Sequence, residues 1–304
     1  MSENPLIVIT GATASGKTAK AVALATAIGG EIISADSRQI YRSMDIGTGK
    51  DLGEYGSVPY HLIDIVDAGY KYNLYEYLRD YQTAHDQIVE RGAQPILCGG
   101  TGLYVESVVK GIKLPNVPEN SELRESLKGE SLDSLTKLLG SYKTLHNITD
   151  VDSCKRAIRA IEIQDYYTKH PNLINDITPS PINAKIYGLS IDREQRRNKI
   201  TKRLKARLQE GMVAEVQTIL DSGVTADDLI YYGLEYKFVT RYLIGELKYS
   251  EMVEALEIAI HQFAKRQMTW FRGMERRGYP IEWLPYDIPN DEFVDVIIKN
   301  NNLK

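Results

Sequence analysis

Nowhere in the 304 residues does an apolar run approach the roughly 20 that a membrane-spanning helix requires. The start, Met1-Ser2-Glu3-Asn4-Pro5, lacks the basic-then-apolar order of a secretory signal, so the expected location is the cytoplasm with no membrane partner. Cysteine is scarce. Cys98 and Cys154 stand alone in unrelated contexts, and the five histidines show no metal-ligand spacing, so neither a disulfide framework nor a zinc site follows. Internal repeats and low-complexity tracts are missing as well, which removes the solenoid and linker classes. Nor is there an excess of positive charge. At a net −4 the chain has no general attraction for a polyanion, and any nucleic-acid contact must come from where its cations sit.

What is present suits a folded protein. Hydrophobic residues make up 43% and charged residues 26%, enough for one large or two modest cores. Cations gather locally. Arg193, Arg196, Arg197, Lys199, Lys202, Arg203, Lys205 and Arg207 face a single acid, Glu194, and Lys265, Arg266, Arg272, Arg276 and Arg277 surround Trp270 and Phe271. A charge run is most often a solvated helix face, and helical aromatics most often pack inward.

The order of elements points to an α/β fold. Leu6–Thr10 is a continuous β-branched run of the kind buried on both faces of a parallel sheet. A helix from Thr18 to Ile28, stopped by Gly29-Gly30, leads to a second strand at Glu31–Ser34. Asn73 and Glu76 form the signature of a capping box opening a helix to Arg91, with Leu74, Leu78, Tyr81 and Ile88 near one face and Gly92 as the stop. Tyr70, Tyr72, Tyr75, Tyr77 and Tyr81 read as packing residues along it. Pro95–Cys98 is a third strand, which places Cys98 in the interior. Prolines then bracket a stretch of short helices. Ile186–Ile191 resumes the sheet, and a basic helix carries Ile200, Leu204, Leu208 and Val216 on one stripe. The expected organisation is a core begun by residues 1–112, a helical insertion at 113–184, and completion of the core with C-terminal helices at 185–304.

Gly11-Ala12-Thr13-Ala14-Ser15-Gly16-Lys17-Thr18 matches G-x-x-x-x-G-K-[ST]. Glycines at both ends let backbone N–H groups turn towards phosphate oxygens, and the following helix presents its positive end to the same anion. Lys17 adds a point charge, and the Thr18 hydroxyl is placed to join a Mg²⁺ shell. The fold class is therefore a P-loop nucleoside-triphosphate-hydrolase-like parallel sheet flanked by helices, with a helical insertion domain. A phosphorylated ligand follows. Its identity stays open between a kinase substrate, a nucleotide and another diphosphate.

Further strings narrow the choice. They are Ser34-Ala35-Asp36-Ser37-Arg38-Gln39-Ile40-Tyr41, Met44-Asp45-Ile46-Gly47-Thr48-Gly49-Lys50, His61-Leu62-Ile63-Asp64, Gly99-Gly100-Thr101-Gly102-Leu103-Tyr104 and Ala264-Lys265-Arg266-Gln267-Met268-Thr269-Trp270-Phe271-Arg272. In order and spacing they resemble the tRNA dimethylallyltransferase family, from about residue 6 to residue 273. The resemblance implies transfer of a dimethylallyl group from dimethylallyl diphosphate to N6 of an adenine in the tRNA anticodon stem-loop, with Mg²⁺ assisting, by a monomer. It implies Asp36 as general base, Thr101 as a polar contact near the adenine, and Lys17 with Arg203 at the diphosphate. It places tRNA contacts at Asp36, Ser37, Arg38, Gln39, Thr101, Arg124, Lys155, Arg156, Ala157, Ile158 and Arg159. Two strings depart from the family pattern, Tyr231–Lys237 with Glu235, and Ile260-His261-Gln262. Read without the resemblance, Asp36 is a turn cap, a Mg²⁺ ligand or a base, and Thr101 a turn residue. The rival functions are a P-loop small-molecule or nucleotide kinase, prenylation of free adenine nucleotides, and a non-catalytic P-loop RNA-binding module.

Overall fold

The computed structural model describes residues 5–145, 149–173 and 179–303. The chain divides into two compact units, Met1–Gly111 with Pro181–Lys304, and Ile112–Ser180. The sequence led to 113–184 for the second. Residues Pro181 to Asn183 already run towards the sheet, where the Asn183 carbonyl accepts the Leu6 N–H.

In the larger unit Leu6–Gly11 (β1), Gly30–Ser34 (β2), Tyr60–His61 (β3), Gln94–Gly99 (β4), Ala184–Ser190 (β5) and Ile281–Pro285 (β6) form one sheet in the order β3-β2-β4-β1-β5-β6. Every pairing is parallel. Four of these strands stand where the apolar runs placed them. The other two are edge strands that sequence reading missed: β3 has only two residues, and β6 carries charge and proline instead of a continuous apolar run. The run in β1 is continuous because both faces are covered. Leu6 and Val8 join Ile33 and Leu97 in one core, while Ile7 and Ile9 join Ile32 and Ile96 in the other.

Helix Lys17–Ile28 (α1) covers the second face, where Ala21, Leu24 and Ala25 pack with Phe293 and Ile297. Gly29 ends it in the left-handed region. Helix Leu74–Glu90 (α2) opens on the expected capping box: Asn73 accepts the Glu76 N–H, and Glu76 accepts the Asn73 N–H. Tyr77 and Tyr81 are buried, and Tyr77 stacks on Tyr104 of Gly102–Val109 (α3) with centroids 3.7 Å apart. Tyr72, just before the helix, is buried as well, whereas Tyr70 is exposed.

The smaller unit contains Ser121–Ser126 (α4), Leu132–Tyr142 (α5) and Cys154–Lys169 (α6). Leu135, Leu139, Ala157 and Ile161 form its core. The basic run of the larger unit becomes Arg193–Glu210 (α7), and Gly211 in the left-handed region breaks it from Met212–Asp221 (α8). Val216 therefore belongs to α8 and not to the stripe of Ile200 and Leu204. Ala226–Tyr232 (α9), Leu234–Leu243 (α10), Tyr249–Arg276 (α11) and Asn290–Asn301 (α12) complete the order. Among the described residues no helix is long and apolar enough to cross a membrane.

Candidate active site

The carboxyl ends of β1, β2 and β4 meet at one edge of the sheet, the position at which open parallel sheets bind ligands. The P-loop joins β1 to α1 there. Gly16, at φ 81, caps α1 without any side-chain bond to its first-turn N–H groups, which leaves those donors for an anion. Thr13, Ala14, Gly16, Lys17 and Thr18 line a cleft, and Gly11, Ala12 and Ser15 are buried behind them.

Asp36 lines the same cleft just beyond β2. Its carboxylate accepts the Arg38 N–H at 3.0 Å, so the turn that presents it is closed locally. Thr101 lies behind that turn. Its hydroxyl oxygen accepts the Ser37 N–H at 3.0 Å and lies 3.3 Å from Ser37 Oγ, so it holds the turn and does not line the cleft. The ends of β2 and β4 come together because Gly99 lacks a side chain: a Cβ there would stand 2.2 Å from the Ala35 carbonyl oxygen. Gln39 reaches across to the Gly49 carbonyl at 3.2 Å.

The cations of the cleft differ in how they are held. Desolvation pushes the Lys17 ammonium below its ordinary range, opposed chiefly by the Asp36 carboxylate. Arg203 on α7 donates to the Thr13 hydroxyl. Desolvation and then the neighbouring Arg207 push it down to about 10, so it remains charged at neutral pH. Arg207, buried behind Gly49, has an Nη2 with no hydrogen-bond partner among the described residues. Arg38 sits over the Phe263 ring and pairs with the buried Glu235. Burial alone would lower the Arg38 guanidinium, but Glu235 and Asp36 hold it above its ordinary range. Cys98, at the floor of the cleft, is a buried thiol pushed up to about 12.

Three residues that hold this site carried no assigned role in the sequence. Glu235 anchors Arg38 from α10. Glu215 on α8 accepts the N–H groups of Asp45, Ile46 and Gly47 at 2.8, 2.6 and 3.0 Å, which fixes the loop containing Gly49. Gln267 on α11 binds the P-loop and the Gly99–Thr101 loop together. No local signal marks any of them, since the site groups they hold lie more than 160 positions away.

The remaining residues assigned to tRNA lie in the smaller unit. Arg124 makes two 3.0 Å hydrogen bonds to Glu162 and an ion pair to Glu119 at 2.7 Å. Arg159 also pairs with Glu162 and donates to the Val117 carbonyl at 2.8 Å. Ala157 is fully buried in the small core, and Ile158 is partly buried against it. Lys155 and Arg156 are exposed, the latter with Asp152 at 2.5 Å. The arginine-to-Glu162 spacing of three on α6 was the available sign that Arg159 is tied down.

A family model described as IPP transferase matches residues 39–274, and one described as isopentenyl transferase matches residues 4–55. A Parabacteroides distasonis protein named tRNA dimethylallyltransferase 1 is 59% identical, with 100% of each chain covered. The crystal structure of a full-length tRNA isopentenylpyrophosphate transferase from Bacillus halodurans is 31% identical, with TM-score 0.71 and 98% of this chain and 95% of that chain covered. A eukaryotic dimethylallyltransferase acting on tRNA shares the fold at TM-score 0.83 and 21% identity, covering 99% of this chain and 79% of that one.

Proposed function

Since the chain belongs to the IPP transferase family, we propose that it transfers a dimethylallyl group to N6 of an adenine next to the anticodon in tRNA, giving N6-isopentenyladenosine. Dimethylallyl diphosphate is the donor, and the protein works as a monomer in the cytoplasm. One observation carries the reading: a carboxylate, Asp36, faces the same cleft as a P-loop lysine and Arg203.

The exocyclic amine of adenine is a weak nucleophile, because its lone pair is delocalised into the ring. Transfer then needs a stabilised leaving group and timely removal of a proton. Lys17, the N–H groups of α1 and Arg203 supply positive charge where the diphosphate departs. As the C–O bond to diphosphate breaks and the C–N bond forms, Asp36 takes the N6 proton. Thr101, through Ser37, keeps the Asp36 turn in place for that attack. The Thr18 hydroxyl, on the first turn of α1, is a hard oxygen donor of the kind Mg²⁺ takes together with substrate phosphates. When bound there, Mg²⁺ neutralises charge on the diphosphate. The adenine must leave its stack to enter the cleft, at a cost of a few kcal/mol that a loop keeps small. Lys155 and Arg156 are exposed cations of the insertion placed to meet RNA phosphates, Arg156 after parting from Asp152.

Incubation with dimethylallyl diphosphate, Mg²⁺ and unmodified tRNA, followed by digestion and nucleoside mass measurement, should yield prenylated adenosine. ATP-dependent phosphorylation of a small acceptor, with no prenylated adenosine, would sink the proposal in favour of a kinase.

A further inference from the structure

One buried pair of hydrogen bonds in the cleft serves none of the steps above. Gln267 Oε1 accepts the Thr13 N–H at 2.8 Å, and its Nε2 donates to the Gly100 carbonyl at 2.9 Å. The side chain is buried at the wall of the cleft, and both bonds are made to backbone groups. The two partners belong to opposite sides of the chemistry. Thr13 is part of the loop that would hold the diphosphate. Gly100 lies between Gly99, whose backbone crosses Ala35 next to Asp36, and Thr101, which holds Ser37. A Cβ at position 100 would stand 2.5 Å from Gln267 Nε2, so the amide's present position relies on a glycine there. Thr13 is also gripped from α7 through the Arg203 bond to its hydroxyl.

We infer that Gln267 is a positioning residue whose side-chain amide fixes the spacing between the diphosphate loop and the loop that presents the general base. The inference rests on the function proposed above. An amide is required because one end must accept and the other donate, a combination that an ionised carboxylate or a methylene chain cannot supply. The bridge leaves the binding groups of each subsite intact and sets the distance between them, and so the distance between N6 and the allylic carbon. It acts through Thr13 and Gly100 and touches neither reacting atom. Its loss should therefore appear in the rate of the bound complex more than in the affinity for either substrate.

Gln267→Met keeps the length of the side chain and removes both hydrogen bonds. With dimethylallyl diphosphate and unmodified tRNA, single-turnover transfer should fall about 10²-fold, the cost of a misplacement of about 1 Å, while both dissociation constants change little. Gln267→Glu gives the decisive contrast. Its neutral acid reproduces the donor and acceptor, and its carboxylate does not, so its rate relative to wild type should rise as pH falls through the new carboxyl's titration. The Met variant's ratio should stay flat. Hydrogen exchange of the Gly11–Lys17 segment should accelerate in the Met variant, which reads the bridge independently of transfer. A folded Met variant that transfers at the wild-type rate, a pH-flat ratio for the Glu variant, or unchanged exchange of the P-loop would overturn the inference. An inactive wild type would instead sink the proposed function, and the exchange measurement alone would then decide whether the bridge exists.

Discussion

In the smaller unit, Arg124 and Arg159 both end on Glu162, whose side chain is only 1% exposed. In the cleft of the larger unit, Lys17 and Arg203 form no ion pair with a carboxylate among the described residues, although both are heavily desolvated. The same kind of cation thus serves two ends. Around Glu162 the two arginines are balanced by its carboxylate together with that of Glu119, and the hydrogen bonds make a structural knot. In the cleft the charge is partly desolvated and carries no carboxylate partner among the described residues, an arrangement that favours an incoming anion. Arg38 is intermediate, a cleft arginine tied to Glu235. Position in a basic segment does not tell these apart.

The largest effect should come from removing the base. Asp36→Asn keeps size and shape but cannot take a proton, and single-turnover transfer should drop by roughly 10²–10⁴-fold with near-normal binding of tRNA and diphosphate. If the rate holds, the base lies elsewhere; if excess Mg²⁺ restores it, Asp36 is a metal ligand; if only the melting temperature falls, it is a cap. Next, Lys17→Ala should slow transfer by roughly 10²–10³-fold and weaken diphosphate binding as well, since the charge acts before and during bond breaking. A variant with normal diphosphate affinity would abolish the contrast between free and tied cations.

Glu162→Gln should leave transfer by the folded fraction intact and cost about 1–3 kcal/mol of stability, the range for lost hydrogen bonds to a charged group. Burial alone would raise the Glu162 carboxyl, but Arg124, the Asn120 N–H and Arg159 bring it below its ordinary value of 4.5. A folded-state value below the unfolded one means the stabilisation is fully present above pH 4.5 and lost as pH falls through the lower folded value. Thermal melts at neutral pH and at a pH below the lowered folded-state value should therefore converge for wild type and variant on the acid side. A constant gap between them would show that Glu162 is not the charge centre of the knot. The smallest effect belongs to the exposed pair. Replacing Lys155 and Arg156 with Ala should weaken tRNA binding and flatten its salt dependence by roughly 0.7–0.9 per lost phosphate contact, without altering diphosphate affinity. An unchanged salt slope would make that face ordinary solvated surface.

The sequence by itself determined what short stretches can encode. The P-loop is eight contiguous residues, four strands are apolar runs, and the start of α2 is written in the spacing of Asn73 and Glu76. In each case the interacting groups are chain neighbours, so the pattern survives without knowledge of the rest. The tertiary structure alone decided that Val216 leaves the α7 stripe at Gly211, that Ala157 faces a core, and that β3 and β6 close the sheet. It also decided which polar partners meet. Thr13 is joined to Arg203 across 190 positions and to Gln267 across 254, and Arg38 to Glu235 across 197. No spacing rule links such pairs. They form because assembling the parallel sheet brings the ends of β1, β2 and β4 to one edge, and the helices packed over that edge supply whichever side chains can satisfy its buried donors and acceptors.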